Sequence, residues 1–252
     1  MHALERFLPQ LCEGDTPASM ADLTEDATIL DPIAGIIMPS VTYFFMASRY
    51  MWLSARQASV EPVRTTASSE RTVVEQILKL VVSKIDVALP VALVGESRGE
   101  KLSQVRIYHS LWPVKGRHEV RPPSLDPVEN LHMAEPVATY QGALAKGDVE
   151  KILGTFAEDA VVREPSGGKH FHRGPDGRRA FYQQILAGGG IPLKHCTVTD
   201  DGGACAVEYI CDRWGDRDLP PQAGVAVYER ASPTALQAAR IYDDVDATGG
   251  SA

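Results

Sequence analysis

Two acid-proline dipeptides stand 133 residues apart, Asp31-Pro32 and Glu164-Pro165. Each closes a short strand-like run. Side chains alternate between the faces of a strand, so Val162 and Glu164 share the inner face while Arg163 meets water or an interface. Ile29 and Asp31 repeat that arrangement. A second pair of runs, Arg106-Ile107-Tyr108-His109 and Arg240-Ile241-Tyr242-Asp243, follows the same logic. If the isoleucines are core, His109 and Asp243 point inward with them. Two candidate catalytic pairs result: Glu164 with Asp243, and Asp31 with His109. Ionisable groups that share a partly dry cavity push their pKa values apart, so one can serve as base and the other as acid. An Asp–His pair fixes the imidazole tautomer and frees the other nitrogen for a proton. The alternative is structural, because a carboxylate before a proline at a strand end often accepts N–H bonds from a turn.

The same alternation sets Glu208 aside. In Cys205–Cys211 the apolar face is Cys205, Val207, Tyr209 and Cys211, which puts Glu208 on the other face with Arg240 and Tyr242. There it, and the matched Glu75, suit cross-strand pairing and packing between copies or chains. His170 and His172 with Glu164 form a weak metal-site pattern, and no metal is expected. His195 is assigned to the outer face. Gly188-Gly189-Gly190 follows a helix rather than a strand, so it stops that helix instead of cradling phosphate. No dinucleotide, Walker or serine-elbow motif occurs, so the expectation is no cofactor.

The chain of 252 residues is written twice. At an offset of 133, TEDATILDPIAG (24–35) falls on AEDAVVREPSGG (157–168) with five of twelve positions identical, and VVEQI (73–77) falls on AVEYI (206–210). RIYHS (106–110) meets RIYDD (240–244) at offset 134. So long a period predicts a tandem pair of one domain. The expected boundaries are 1–112, a proline-rich extended linker at 113–131, and 132–246. In the second copy the spacing predicts helices at 134–146, 149–157 and 176–187. Strands are predicted at 160–164, 193–199, 205–213, 223–229 and 238–244. Gly147 ends the first helix and Asp148 caps the next; Asp201-Gly202 marks a hairpin. This is an α+β plan. In the first copy, 40–54 reads as a helix apolar on every side, which contains Trp52.

Composition narrows the function classes. Hydrophobic residues are 44% and charged residues 23%, so a packed core is affordable, and the net charge of -8 argues against nucleic acid. Ile33–Leu53 is long enough for a membrane span, but Pro39 and Arg49 interrupt it, so no membrane partner is expected. The four cysteines form no C-x-x-C pair and read as small buried residues of a cytoplasmic protein.

In the second copy, Gly147-Asp148, Phe156-Ala157-Glu158-Asp159-Ala160, Glu164-Pro165, His172-Arg173-Gly174 and Arg240-Ile241-Tyr242-Asp243 carry a family likeness. In that order they resemble the SnoaL-like branch of the nuclear transport factor 2-like superfamily. The likeness is weaker across 36–55 of the first copy. It implies two cone-shaped α+β domains, helices packed in a curved antiparallel sheet, with a pocket at the wide end. It also implies an intrachain pseudo-dimer and a possible homodimer through the convex sheet face. Within such a cone the expected ligand is a small hydrophobic oxygenated molecule, turned over by cofactor-free proton transfer of the polyketide-cyclase or isomerase type. Tyr182 and Tyr209 are the expected hydrogen-bond donors, with Phe156 and Trp52 as aromatic contacts. A non-catalytic ligand-binding or scaffold protein is the alternative.

Overall fold

A computed structural model describes residues 2–31, 36–39, 58–119, 121–165 and 170–247. The proposed helix at 40–54, with Trp52, lies outside them. The first half runs α1 (Ala3–Glu13), α2 (Thr16–Ala21), β1 (Leu23–Asp31), β2 (Ile36–Pro39), β3 (Ser59–Ala67), β4 (Arg71–Val82), β5 (Ile85–Arg98) and β6 (Lys101–Tyr108). A short helix, α3 (Trp112–Lys115), lies in the stretch expected to be wholly extended; Pro113 occupies its first turn, where a missing N–H costs nothing. The second half runs α4 (Val137–Lys146), α5 (Val149–Leu153), β7 (Phe156–Arg163), β8 (Phe171–Arg173), α6 (Gly174–Ile185), β9 (Leu193–Asp200), β10 (Ala204–Trp214), β11 (Arg217–Ser232) and β12 (Ala235–Asp243).

The halves share one topology. Their sheets have the orders β2-β1-β6-β5-β4-β3 and β8-β7-β12-β11-β10-β9. The sheets are mixed rather than antiparallel throughout: β1 lies parallel to β6, and β7 parallel to β12. Three hairpin-linked strands bring the last strand back beside the first in the same direction. Alternation of side chains carries no information about the direction of a neighbouring strand, which is why the sequence missed this. The helix joints repeat as well. Gly147 takes a left-handed φ of 71° and the Asp148 side chain accepts from the Lys151 N–H; Gly14 (φ 78°) and Asp15 (accepting from Ala18) do the same 133 residues earlier. Glycine reaches that φ without strain, and the aspartate satisfies one orphan donor of the following helix.

Each half has its own core on the concave side of its sheet, with Leu4, Phe7, Leu11, Ile29 and Ile107 in the first and Tyr140, Ile152, Val162, Tyr182 and Val207 in the second. A third cluster lies between the sheets: Val73, Ala92, Val94 and Tyr108 meet Ala206, Val225, Val227 and Tyr242. These are the same four positions of the two halves, so the contact is self-complementary, as at a two-fold interface. The alanines let the sheets approach closely.

Glu208 and Glu75 sit in this interface. The Arg106 guanidinium grips Glu208 through Nε (2.6 Å) and Nη2 (2.8 Å), and the Tyr108 hydroxyl donates to the same carboxylate at 2.7 Å. Arg240 and Tyr242 hold Glu75 with distances of 2.7, 2.8 and 2.6 Å. The outward face was legible in the sequence, but the partner was not. Arg240 does not pair with Glu208 in its own sheet; each arginine crosses to the glutamate of the other half. Arg163, expected at water or an interface, is buried with its guanidinium 4.5 Å above the Tyr242 ring.

All four cysteines are free and buried. No helix among the described residues is long and apolar enough to cross a membrane.

Candidate functional site

The concave side of the second sheet encloses a cavity of about 370 Å³, inside the range of small-molecule pockets. Tyr140, Tyr182, Tyr209, Tyr228, Phe181 and Trp214 give it an aromatic wall, and Glu164 and Asp243 both reach it. Val162 and Ile241 line it too, as the alternation along β7 and β12 required.

Asp243 owes its setting to three adjacent strands. Tyr209 on β10 pairs with Gly224 on β11, which pairs with Asp243 on β12. A Cβ on Gly224 would lie 2.6 Å from the Tyr209 ring. The missing side chain therefore lets the tyrosine lie across β11 and donate its hydroxyl to Asp243 Oδ2 at 2.5 Å. The Val245 N–H reaches the other oxygen at 3.4 Å. Asp243 is 8% exposed. Burial pushes its carboxyl above the ordinary range, against the Tyr209 and Val245 bonds. Burial and the neighbouring carboxylate raise the Tyr209 hydroxyl far above its usual value, so it remains a donor.

Glu164 is wetter, with 29% of its side chain exposed. It meets His172 Nε2 at 2.6 Å, and that imidazole stacks on Phe181 with centroids 4.2 Å apart. His170 Nδ1 is 3.8 Å away. The two carboxylates thus share a cavity, but each has its own partner, in a Glu–His and an Asp–Tyr pair. No cluster of three or more metal-ligating side chains occurs among the described residues.

Tyr182 is fully buried, its hydroxyl 3.0 Å from that of Tyr140. Tyr228 accepts from Gln141 Nε2 at 2.7 Å, and Gln141 Oε1 lies 3.2 Å from His195 Nε2. His195 is therefore half-buried against α4 and not on the outer face. A bulge explains the reversal: Tyr209 opposes His195 while Glu208 opposes Thr197, so Cys196 is the extra residue and the alternation slips by one. Phe156 is placed under the cavity wall rather than on it, beginning β7 and packing edge-on to Tyr140 at 5.8 Å. Gly154 caps α5 before Phe156 could join it.

The first half does not repeat this arrangement. Gln76 and Val91 stand where the second half has Tyr209 and Gly224. Valine fills the gap the glycine leaves open, and Gln76 instead donates to the Glu5 carbonyl at 3.1 Å. His109 is half-buried with Nδ1 3.3 Å from the Ser110 carbonyl. Burial, with the Arg121 charge, pushes its pKa down to about 3. Asp31 closes β1, and its charge is felt by Arg121.

Sequence reasoning missed the contribution of the segment between the halves. Trp112 and His118 line the second cavity, their rings 4.7 Å apart. Behind them, fully buried Asp244 accepts from Ser110 Oγ (2.5 Å), the Glu119 N–H (3.0 Å) and Arg121 Nη2 (3.1 Å), and lies 2.9 Å from His118 Nδ1. The doubled Asp243-Asp244 was the one available signal.

Residues 137–232, from the start of α4 to the end of β11, match the SnoaL-like domain family. The second half of the chain is a SnoaL-like domain. Among the described residues the first half repeats its sheet order, with two helices ahead of the first strand as in the second half. Similar solved structures include a hypothetical protein with a ketosteroid isomerase-like fold from Catenulispora acidiphila (16% identity, 45% of this chain and 89% of that one, TM-score 0.40). A putative polyketide cyclase from Xanthomonas campestris (17%, 43% and 88%, TM-score 0.38) and an epoxide hydrolase from M. tuberculosis (19%, 44% and 82%, TM-score 0.36) are also similar. Among curated proteins, none matches this sequence.

Proposed function

We propose that the SnoaL-like domain of the second half binds a small, mostly apolar molecule carrying a carbonyl or hydroxyl group. We further propose that it moves a proton on that molecule without a cofactor. The observation that carries this reading is Asp243: a carboxyl drawn out of water into an aromatic cavity, oriented by Tyr209 across a glycine gap. A desolvated carboxylate with a raised pKa is a stronger base than one in water. It would take a proton from a carbon next to the carbonyl. Tyr182, backed by Tyr140, is suited to stabilise the charge that develops on oxygen. Arg106 and Arg240 are tied up in the interface, and no arginine lines the cavity among the described residues, so the arginine-containing water clamp of an epoxide hydrolase is not supported.

The test is exchange of the α-protons of a small apolar ketone, 2-decalone, in D2O, followed by NMR. General acid–base groups contribute roughly 10²–10⁴-fold, so Asp243→Asn should lower enzyme-dependent exchange about 100-fold or more. No exchange by the native protein would sink the reading. One observation favours the rival, a non-catalytic binding protein: the hydroxyls of Tyr140, Tyr182 and Tyr228 are already engaged with protein partners. Saturable binding of 2-decalone without exchange would decide for it.

A further inference from the structure

The segment joining the two halves does more than tether them. It leaves the first half after β6, turns through α3 and places Trp112 and His118 on the wall of the second cavity. Trp112 is 39% exposed there, a large apolar surface beside an opening. The segment is pinned from behind by Asp244, which takes hydrogen bonds from Ser110 of the first half and from Glu119 and Arg121 of the segment itself. The cavity of one half is therefore incomplete without residues supplied from outside the SnoaL-like fold.

The chemistry of His118 follows from that fixing. Burial would raise the Asp244 carboxyl, but the bonds from His118 and Ser110 and the Arg121 charge outweigh it and hold it down to about 2. Asp244 is thus ionised and can only accept, so the ring nitrogen facing it, Nδ1 at 2.9 Å, must carry a proton. Nε2 remains as the ring's second proton site, on a residue of the cavity wall. The groups that act on this imidazole are Asp244, Asp243 and Asp246, all after or at the end of β12, with Arg121 sharing Asp244. Glu119 is occupied by Lys115 at 2.6 Å and Arg117 at 3.5 Å. Burial alone would lower the His118 pKa; the carboxylates outweigh it and leave it raised, favouring the imidazolium.

We propose that His118, carried into the second cavity by the inter-repeat segment and held by Asp244, is the proton donor that works opposite Asp243. This rests on the proton-transfer reading of that cavity. In the step, the Asp243 carboxylate removes the proton from the carbon α to a ketone. The C–H electron pair becomes the C=C bond of the enol, and the C=O π pair moves to oxygen. The Nε2 proton of the His118 imidazolium passes to that oxygen, leaving neutral imidazole and protonated Asp243. Returning both protons regenerates the enzyme and leaves an exchanged or isomerised ketone. The design belongs to one half only, because the residue matching Asp244 in the first half is Ser110.

The experiment compares the full chain with His118→Gln, Asp244→Asn and Asp243→Asn in the exchange of 2-decalone in D2O across pH, with NMR titration of 2-decalone binding in parallel. The expected result for His118→Gln is an exchange rate down about 100-fold, binding within a few-fold of native, and loss of the fall in rate at alkaline pH that marks deprotonation of His118. Asp244→Asn should move that fall to lower pH, and imidazole NMR of the native protein should show the same titration. If Asp243→Asn abolishes exchange while His118→Gln stays within three-fold of native with an unchanged pH profile, the proposal falls and the proton-transfer reading stands. If the native protein gives no exchange, both fall. If His118→Gln does not fold, the imidazole titration decides: a His118 pKa unaffected by Asp244→Asn overturns the proposal.

Discussion

Replacing Glu208 by glutamine tests whether the two halves are one structure held by reciprocal buried ion pairs. Glu208 is 2% exposed and Arg106 fully buried. The carboxylate accepts four bonds, from Arg106 Nε and Nη2, the Tyr108 hydroxyl and Thr197 Oγ1. Glutamine keeps one acceptor oxygen but turns an NH2 toward these donors, leaving the guanidinium with Glu96, 2.8 Å from Nη1, as its remaining carboxylate partner. Removing one partner of a buried pair costs about 3–5 kcal/mol. In a chain of this size each kcal/mol shifts Tm by about 2–4 °C, so Glu208→Gln should lower Tm by roughly 6–20 °C at pH 7. Glu75→Gln should do the same, because its bonds from Arg240 and Tyr242 repeat the arrangement. The double variant Arg106→Met/Glu208→Leu should recover most of the loss, since well-packed apolar groups often replace a buried pair at little cost. The deficit should also shrink in acid. Burial raises the Glu208 carboxyl, but the Arg106 charge and its hydrogen bonds outweigh it and leave the pKa lowered. A depressed folded pKa contributes stability above the unfolded value of about 4.3, and that stability is lost as pH falls through the folded value. Calorimetry at pH 7 and at pH 3 measures both effects. A Glu208→Gln cost under about 1 kcal/mol, with Glu75→Gln strongly destabilised, would refute the symmetric account.

Other consequences follow from single contacts. Gly224→Ala puts a Cβ within 2.6–2.7 Å of the Tyr209 ring, so it should break the Tyr209–Asp243 bond, seen as lost 2-decalone exchange with a destabilisation of about 1–3 kcal/mol by urea unfolding. Gly190→Ala should be at least as costly without a direct effect on the site, because its Cβ would collide with the Ala145 carbonyl and α4 would have to move; thermal melts measure it. Asp243→Asn should lose exchange yet raise Tm at pH 7. The raised folded pKa means that ionisation costs stability as pH climbs past the unfolded value of about 3.9, and asparagine still accepts from Tyr209; equal gains at pH 3 and pH 7 would contradict this. For Asp244 the sign is opposite: its folded pKa of about 2 adds stability that is lost as pH falls through that value, so Asp244→Asn should be most harmful near neutrality and least harmful at pH 2.

The sequence alone determined the parts that depend on local spacing. The offset of 133 residues found both halves, Gly147-Asp148 fixed a helix joint, and period-two alternation put Val162, Glu164, Tyr209 and Asp243 on the concave face. These are properties of a chain with itself at short range or of one segment compared with another. What tertiary structure decided lies between segments. Alternation sorts faces but not partners, so it identified Glu208 as outward and could not show that Arg106 of the other half would take it. It failed at His195, where one bulged residue reversed the faces. It could not show that Gly224 opens a path for Tyr209, because that path exists only once β10, β11 and β12 lie side by side. Nor could it bring His118 to Asp244, 126 residues away, since the bond depends on where the joining segment comes to rest after both halves have packed.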